Sequence, residues 1–350
     1  MIHYTKQLPS NILVSSNETF RWFSGTSYLG MAQLPEFKAL VAEGIQQYGT
    51  SWGSSRNNNV RLAVYEEAEQ LLASEFNTQA SLTVSSGMVA GQLIVSLCKQ
   101  QGYQPIYSPK THPALWDEST VIPNLSFSDW ATQLNQQIEA HPSKRIVIYS
   151  DSVASPYVEE LSFDWIEHLP KNKEILVVID ASHSLGIGIP SAIYQSQTEV
   201  IITSSLNKAM GMPGGIILGS KERIEYIRSM TMFSGASPMM PALLFAYTKG
   251  QSLFWQQQKQ LKDNISYFNQ KLPLNHPFDY FDNYPCYCTR EADLHEYLKQ
   301  QGIMTAHFSY PKATDPAVTR LVITALHTQE DLNYLQDCLQ AFVALVTTKE

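Results

Sequence analysis

Ile175-Leu176-Val177-Val178-Ile179-Asp180-Ala181-Ser182-His183 and Val200-Ile201-Ile202-Thr203-Ser204-Ser205-Leu206-Asn207-Lys208-Ala209-Met210-Gly211-Met212-Pro213-Gly214-Gly215 follow one pattern. Each opens with a short aliphatic run rich in β-branched residues, then breaks off into small and polar ones. Such runs are too short for ordinary helices and read as buried strands. Outward from them, Ser81–Ser86, Arg145–Ser150 and Gly214–Gly219 read the same way, while Val89–Gln100 and Trp130–Ala140 carry apolar residues at helical spacing. Strand and helix in alternation predict an α/β fold with a mostly parallel sheet covered by helices on both faces. In such sheets ligands bind beyond the C-terminal strand ends, where the polar residues of these segments fall.

The pattern changes near Ser237. Pro238 to Leu272 reads as one or two long helices, followed by shorter strands at Phe278–Cys288, Met304–Tyr310 and Arg320–Thr324 and by two more helices. Thr328, three residues before Asp331, is a capping signal for the last of these. The expected division is an N-terminal arm over 1–40, a large domain over 41–237 and a small α+β domain over 238–350.

The formal net charge of the 350 residues is -8, with no basic run, so nucleic acid is not an expected partner. No apolar stretch approaches the ~20 residues of a membrane helix. The start of the chain lacks the basic and apolar regions of a secretory leader, so a cytoplasmic protein is expected. Cys98, Cys286, Cys288 and Cys338 are too scattered for a disulfide framework. Cys286-Tyr287-Cys288 reads as a strand with two small apolar side chains on one face, and no metal is expected.

Four places carry residue types suited to chemistry. Asp180 ends a buried strand, where a carboxylate is costly without a partner; its ordinary reading is a turn or cap. His183 follows three residues later. Lys208 stands just past an apolar strand among small residues, where desolvation makes an amine nucleophilic; otherwise it is a loop lysine. Ser85-Ser86-Gly87-Met88 joins a strand to a helix, a geometry that cradles phosphate. His112, in Ser108-Pro-Lys-Thr-His112-Pro, has a ring able to stack on a planar ligand. Pyridoxal phosphate (PLP) asks for this set: an amine, a carboxylate for its ring nitrogen, backbone N–H groups and hydroxyls for its phosphate, and a cover for its ring.

In order and spacing these elements resemble the α-oxoamine synthases, PLP enzymes of fold type I that condense an amino acid with an acyl-CoA thioester. The resemblance spans roughly residues 20–340. Ser27-Tyr-Leu-Gly30 is similar to the family's N-terminal signature, and Gly49-Thr-Ser-Trp-Gly-Ser-Ser-Arg56 to its Gly/Ser-rich segment. The resemblance implies that Lys208 carries the cofactor and that Asp180 pairs with the pyridine nitrogen. It further implies that His183 bonds the ring O3′ and that His112 stacks on the ring. Gly87, Met88 and Ser205 serve the phosphate, Ser155 contacts the cofactor and Arg320 grips the substrate carboxylate. It also implies a homodimer. Thr26 stands where the family places Asn, and Asn207 where it usually places Gly. Two reactions stay open: acyl transfer from acyl-CoA, or amino-acid chemistry of the same fold without acyl-CoA, such as transamination.

Overall fold

The computed structural model describes residues 3–15, 18–155, 157–159, 161–189, 193, 197–273, 275–309 and 314–347. The chain folds into two compact units. One comprises Met1–Leu34, Ser155–Glu160 and Ser252–Glu350, the other Pro35–Ala154 and Leu161–Gln251.

The first strands, β1 (Ile12–Val14) and β2 (Thr19–Phe23), belong to the smaller unit. The larger unit then runs through α1 (Pro35–Tyr48), α2 (Ala63–Glu75), β3 (Ala80–Val84), α3 (Gly87–Gln100), β4 (Gln104–Tyr107), α4 (Phe127–Ala140), β5 (Arg145–Asp151), β6 (Glu174–Asp180), β7 (Glu199–Ser205) and β8 (Gly215–Gly219). It ends with α5 (Lys221–Ser229), α6 (Thr231–Gly235) and α7 (Pro241–Lys249). Its sheet has the order β3-β8-β7-β6-β5-β4. Strands β4 to β7 are parallel; β8 runs antiparallel to both its neighbours. The expected α/β architecture is therefore present.

Local chemistry sets the element ends. The strand read as Ser81–Ser86 stops at Val84, because the Ser86 hydroxyl accepts the Val89 N–H at 3.2 Å and starts α3. In the same way Ser126 accepts the Asp129 N–H at 3.0 Å, so α4 begins before Trp130. Pro238–Leu272 divides at Gly250 into α7 and α8 (Gln251–Asn269). The compact units part at Gln251, beyond the division expected at 237, because α7 packs on α1 and α2. The approach is close: a Cβ on Gly44 of α1 would lie 2.7 Å from the Ala242 carbonyl oxygen.

The smaller unit continues with β9 (Cys286–Thr289), α9 (Leu294–Gln300), β10 (Ile303–Ser309), β11 (Ala317–Val322) and α10 (Gln329–Thr347). Its sheet order is β1-β2-β10-β11-β9, so the residues read as an N-terminal arm supply two of its strands. Met304–Ser309 of the run read as Met304–Tyr310 lies in β10, while Tyr310 is outside the described residues. The capping box is formed. The Thr328 hydroxyl accepts the Asp331 N–H at 3.2 Å, and Asp331 accepts the Thr328 N–H at 3.0 Å. Gly30 has φ 65°, and a Cβ there would meet Leu326 at 2.3 Å, so the Tyr-Leu-Gly signature ends on a position only glycine fills.

His327 ties this unit together. Its ring stacks on Phe23 at 4.1 Å, Nδ1 accepts the Thr324 N–H at 2.9 Å, and Nε2 donates to the Trp22 carbonyl at 3.0 Å. Burial pushes its pKa down to about 4. As the pH falls below 6.5 the unfolded chain takes up a proton that the folded site refuses until about pH 4. Acidification through that window is expected to remove roughly 3 kcal/mol of stability. Urea unfolding as a function of pH checks this: His327→Gln should start less stable at pH 7 but lose less between pH 6.5 and 4.

Candidate active site

Strand register sets Asp151, Asp180 and Thr203 side by side at the C-terminal ends of β5, β6 and β7. Alternation puts their side chains on the face that carries Val147, Tyr149, Leu176, Val178 and Ile201, the core packed beneath α3. Both acids are 7 % exposed. Asp180 Oδ1 accepts the Ser182 N–H at 2.8 Å. The Thr203 hydroxyl is buried and has no hydrogen-bond partner among the described residues.

The turns after these strands interlock. The Ser182 hydroxyl accepts the Ser205 N–H at 2.8 Å, and Ser152 and Ser184 share a hydrogen bond of 2.7 Å between their hydroxyls. His183 is half-buried in the turn between Ser182 and Ser184. Ser205 Oγ accepts the Asn207 N–H at 3.2 Å, which leaves its own hydrogen to donate.

Lys208 lies half-buried on a loop whose backbone closes on itself, from Leu206 N–H to the Gly214 carbonyl at 3.0 Å and from Met212 N–H to the Leu206 carbonyl at 2.9 Å. Ala209, Met210 and Met212 anchor that loop in the core. The charge of Lys208 acts on both His112 and Asp151.

Gly87 opens α3 against the end of β7. A Cβ there would meet Ser205 Cβ at 2.8 Å and Ser205 N at 2.9 Å, and one on Gly215 would meet the Ser86 carbonyl oxygen at 2.2 Å. Glycine at both positions lets the helix start close on the strand end, and the first-turn N–H groups of Gly87 and Met88 have no partner within the helix. The Met88 side chain is exposed.

His112 begins the turn that leads from β4 towards α4. Its backbone N–H donates to Asp151 Oδ1 at 3.1 Å, and its Nδ1 accepts the Ala114 N–H at 3.1 Å. The neutral ring therefore carries its hydrogen on Nε2. Burial holds its pKa below the ordinary value; the Asp180 charge opposes this and Lys208 adds to it.

The larger unit thus brings together Gly87, His112, Asp180, His183, Ser205 and Lys208, with Met88 on the same helix start. Ser155 and Arg320 belong to the smaller unit. Arg320 lies on β11, opposite Cys288 and Ala306 on its neighbours. Its guanidinium lies 5.6 Å from the Phe308 ring centroid, and its buried Nε has no hydrogen-bond partner among the described residues. The titratable groups acting most on it are Cys286, Tyr28, Cys288 and Tyr284, with no carboxylate among them. Asp151 and Thr203 were not singled out in the sequence. Asp151 ends the β5 run just as Asp180 ends β6, and that parallel was the available signal.

A model of the family described as aminotransferase class I and II matches residues 21–339. The chain belongs to that family. Within it, the 8-amino-7-oxononanoate synthase of Petrotoga mobilis is 25% identical over 337 residues, covering 88% of this chain and 84% of that protein. The serine palmitoyltransferase of Bacteriovorax stolpii is 27% identical over 228 residues, covering 61% of this chain and 54% of that protein. Both names are those of α-oxoamine synthases, the group its motifs resemble. The structure of serine palmitoyltransferase from Sphingomonas wittichii superposes with a TM-score of 0.83 at 14% identity, covering 97% of this chain and 91% of that one. This likeness establishes the fold, that of the type I PLP-dependent transferases.

Proposed function

We propose that the chain is a PLP-dependent acyltransferase of the α-oxoamine synthase group, joining an amino acid to the acyl group of an acyl-CoA. The observation that carries this reading is the row at the strand ends. Asp180 is buried in register beside a Thr203 hydroxyl with no partner among the described residues, a glycine-lined helix start closes on Ser205, and Lys208 follows on the next turn. A planar cofactor with a phosphate, a basic ring nitrogen and an aldehyde fits that donor set.

Lys208 Nζ would hold the cofactor through its aldehyde carbon, and Asp180 would pair with its ring nitrogen. His183 would serve O3′, His112 would cover the ring, and Ser155 would contact the cofactor. The Gly87 and Met88 N–H groups and the Ser205 hydroxyl would hold the phosphate. When bound, PLP supplies an electron sink for charge developing at the amino acid's α-carbon. Lys208 Nζ is the base that moves the α-proton. Arg320 fixes the substrate carboxylate, its buried Nε having no hydrogen-bond partner among the described residues. In the net reaction a carbon–carbon bond forms to the acyl carbonyl, CoA leaves as the thiol, and the substrate carboxylate departs as CO2. In this reading the protein acts as a cytoplasmic homodimer. No helix among the described residues is long and apolar enough to cross a membrane.

Absorbance spectra of the PLP-loaded protein, screened with amino acids with and without acyl-CoA thioesters, test the reading. It requires one amino acid to change the spectrum and one thioester to change it further with release of free CoA. Conversion of the cofactor to its amine form without any thioester effect would assign a transaminase reaction instead. In the same assay Arg320→Ala is expected to raise the amino-acid KM by about 10²-fold or more, the cost of losing a charged hydrogen-bond pair, with much less effect on PLP affinity.

A further inference from the structure

The proposed reaction makes no use of Asp151, a buried acid in register with Asp180. We propose that Asp151 is a positioning residue, whose carboxyl anchors the His112 backbone and thereby sets where the His112 ring stands beside Asp180. The inference rests on the PLP reading for its consequence, since there His112 covers the cofactor.

The loop that bears His112 is fastened to β5 in steps. The Ser108 N–H donates to the Tyr149 carbonyl at 2.8 Å, and the Ser108 hydroxyl donates to the Ser150 hydroxyl at 2.9 Å. The Thr111 hydroxyl lies 3.2 Å from the Tyr149 carbonyl. The Asp151 Oδ1 bond to the His112 N–H continues this series and reaches the residue that carries the ring. The tilt of the ring is settled within its own turn, through Nδ1 and the Ala114 N–H. Asp151 thus sets the place of the turn, and the turn sets the ring.

Asp151 does this as the neutral acid. Adjacent strands lie about 4.8 Å apart, and two buried carboxyls at that spacing do not both ionise. Burial, reinforced by the charge of Asp180, holds the Asp151 carboxyl well above the usual range, while the His112 N–H and Lys208 offset part of this. Among the described residues, Asp180 and Lys208 are the charged groups acting on it. An amide has the same shape and still accepts the His112 N–H, so asparagine should replace Asp151 in function while alanine should not.

Two measurements use the protein without cofactor. In ring NMR spectra the His112 signal of Asp151→Asn should coincide with wild type, while that of Asp151→Ala should shift. In denaturant unfolding across pH, the raised carboxyl keeps a proton that the unfolded chain releases above about pH 4, so it lowers stability as the pH rises. Asp151→Asn should flatten that fall. A third measurement titrates PLP. Asp151→Ala should weaken binding roughly tenfold, the loss of one buried hydrogen bond, and Asp151→Ala/His112→Ala should bind no more weakly than His112→Ala alone.

The proposal is overturned if Asp151→Asn moves the His112 signal, if Asp151→Asn weakens PLP binding as much as Asp151→Ala, or if the losses of Asp151→Ala and His112→Ala multiply. Should Asp151→Ala not fold, Asp151→Asn still decides, because wild-type values are required of it in both the NMR and the PLP titration. Wild-type protein that binds no PLP would remove the cofactor reading, and the NMR comparison would then decide the Asp151–His112 tie by itself.

Discussion

Lys208→Ala is expected to abolish the visible, borohydride-sensitive absorbance of the PLP-loaded protein and to reduce kcat at least about 10³-fold. The proposed mechanism gives this amine two tasks, covalent retention of the cofactor and transfer of the α-proton, and proton transfer by a positioned base is itself worth about 10²–10⁴. The protein should nevertheless fold normally. The loop from Leu206 to Gly214 closes through backbone groups and is anchored by Ala209, Met210 and Met212, none of which the substitution touches. Absorbance spectra, single-turnover kinetics and a thermal melt of the same sample separate the two effects. A surviving band would assign the covalent bond to another amine.

Glu69→Ala is expected to produce the largest loss of stability. Glu69 of α2 grips Arg56 through both carboxylate oxygens at 2.7 and 3.0 Å, and its Oε2 also accepts from Arg228 of α5 at 3.1 Å. Its Oε1 takes the Thr83 N–H on β3 at 2.7 Å. The side chains of Arg56 and Glu69 are 3 % and 4 % exposed. Breaking such a pair strands a buried guanidinium and costs roughly 3–5 kcal/mol, which corresponds to a fall in Tm of about 10 °C for a unit of this size. Calorimetry checks the value. Arg56→Met combined with Glu69→Leu should recover part of the loss, because the buried Arg56 guanidinium is then gone while Arg228 and the Thr83 N–H still lack their Glu69 acceptor.

What could be read from the sequence depended on contrast. Apolar strands broken by polar residues stood out, so β5 to β8 and the polar positions that follow them, Asp180, Ser205 and Lys208 among them, were legible. The helix caps at Ser86 and Ser126 moved element ends by a few residues, since capping depends on one side chain reaching one N–H. The strands β1 and β2 were not legible. They are short and partly exposed, and the partner of β2 is β10 from the far end of the chain, which no local pattern announces. Asp151 escaped for a different reason. Its importance comes from lying opposite Asp180, and register is a property of two strands together. The Arg56–Glu69 pair is likewise a meeting of a loop with a helix, and only Arg56 fell in a segment that the sequence marked out.

The strand order β3-β8-β7-β6-β5-β4 also bears on how the protein is made. The first strand of this sheet to leave the ribosome, β3, pairs within it only with the last, β8. Until Gly215–Gly219 has emerged, β3 has no edge to join, and the Gly87 turn has no Ser205 and Gly215 to close upon. Synthesis runs from the N-terminus, and pairings between distant segments form late. The nascent chain can assemble β4 to β7 and present Asp180 while the proposed phosphate cradle is still unbuilt. On the proposed assignment of Gly87 and Ser205 to the phosphate, cofactor loading follows translation of the larger unit, and β3 stays unpaired until then.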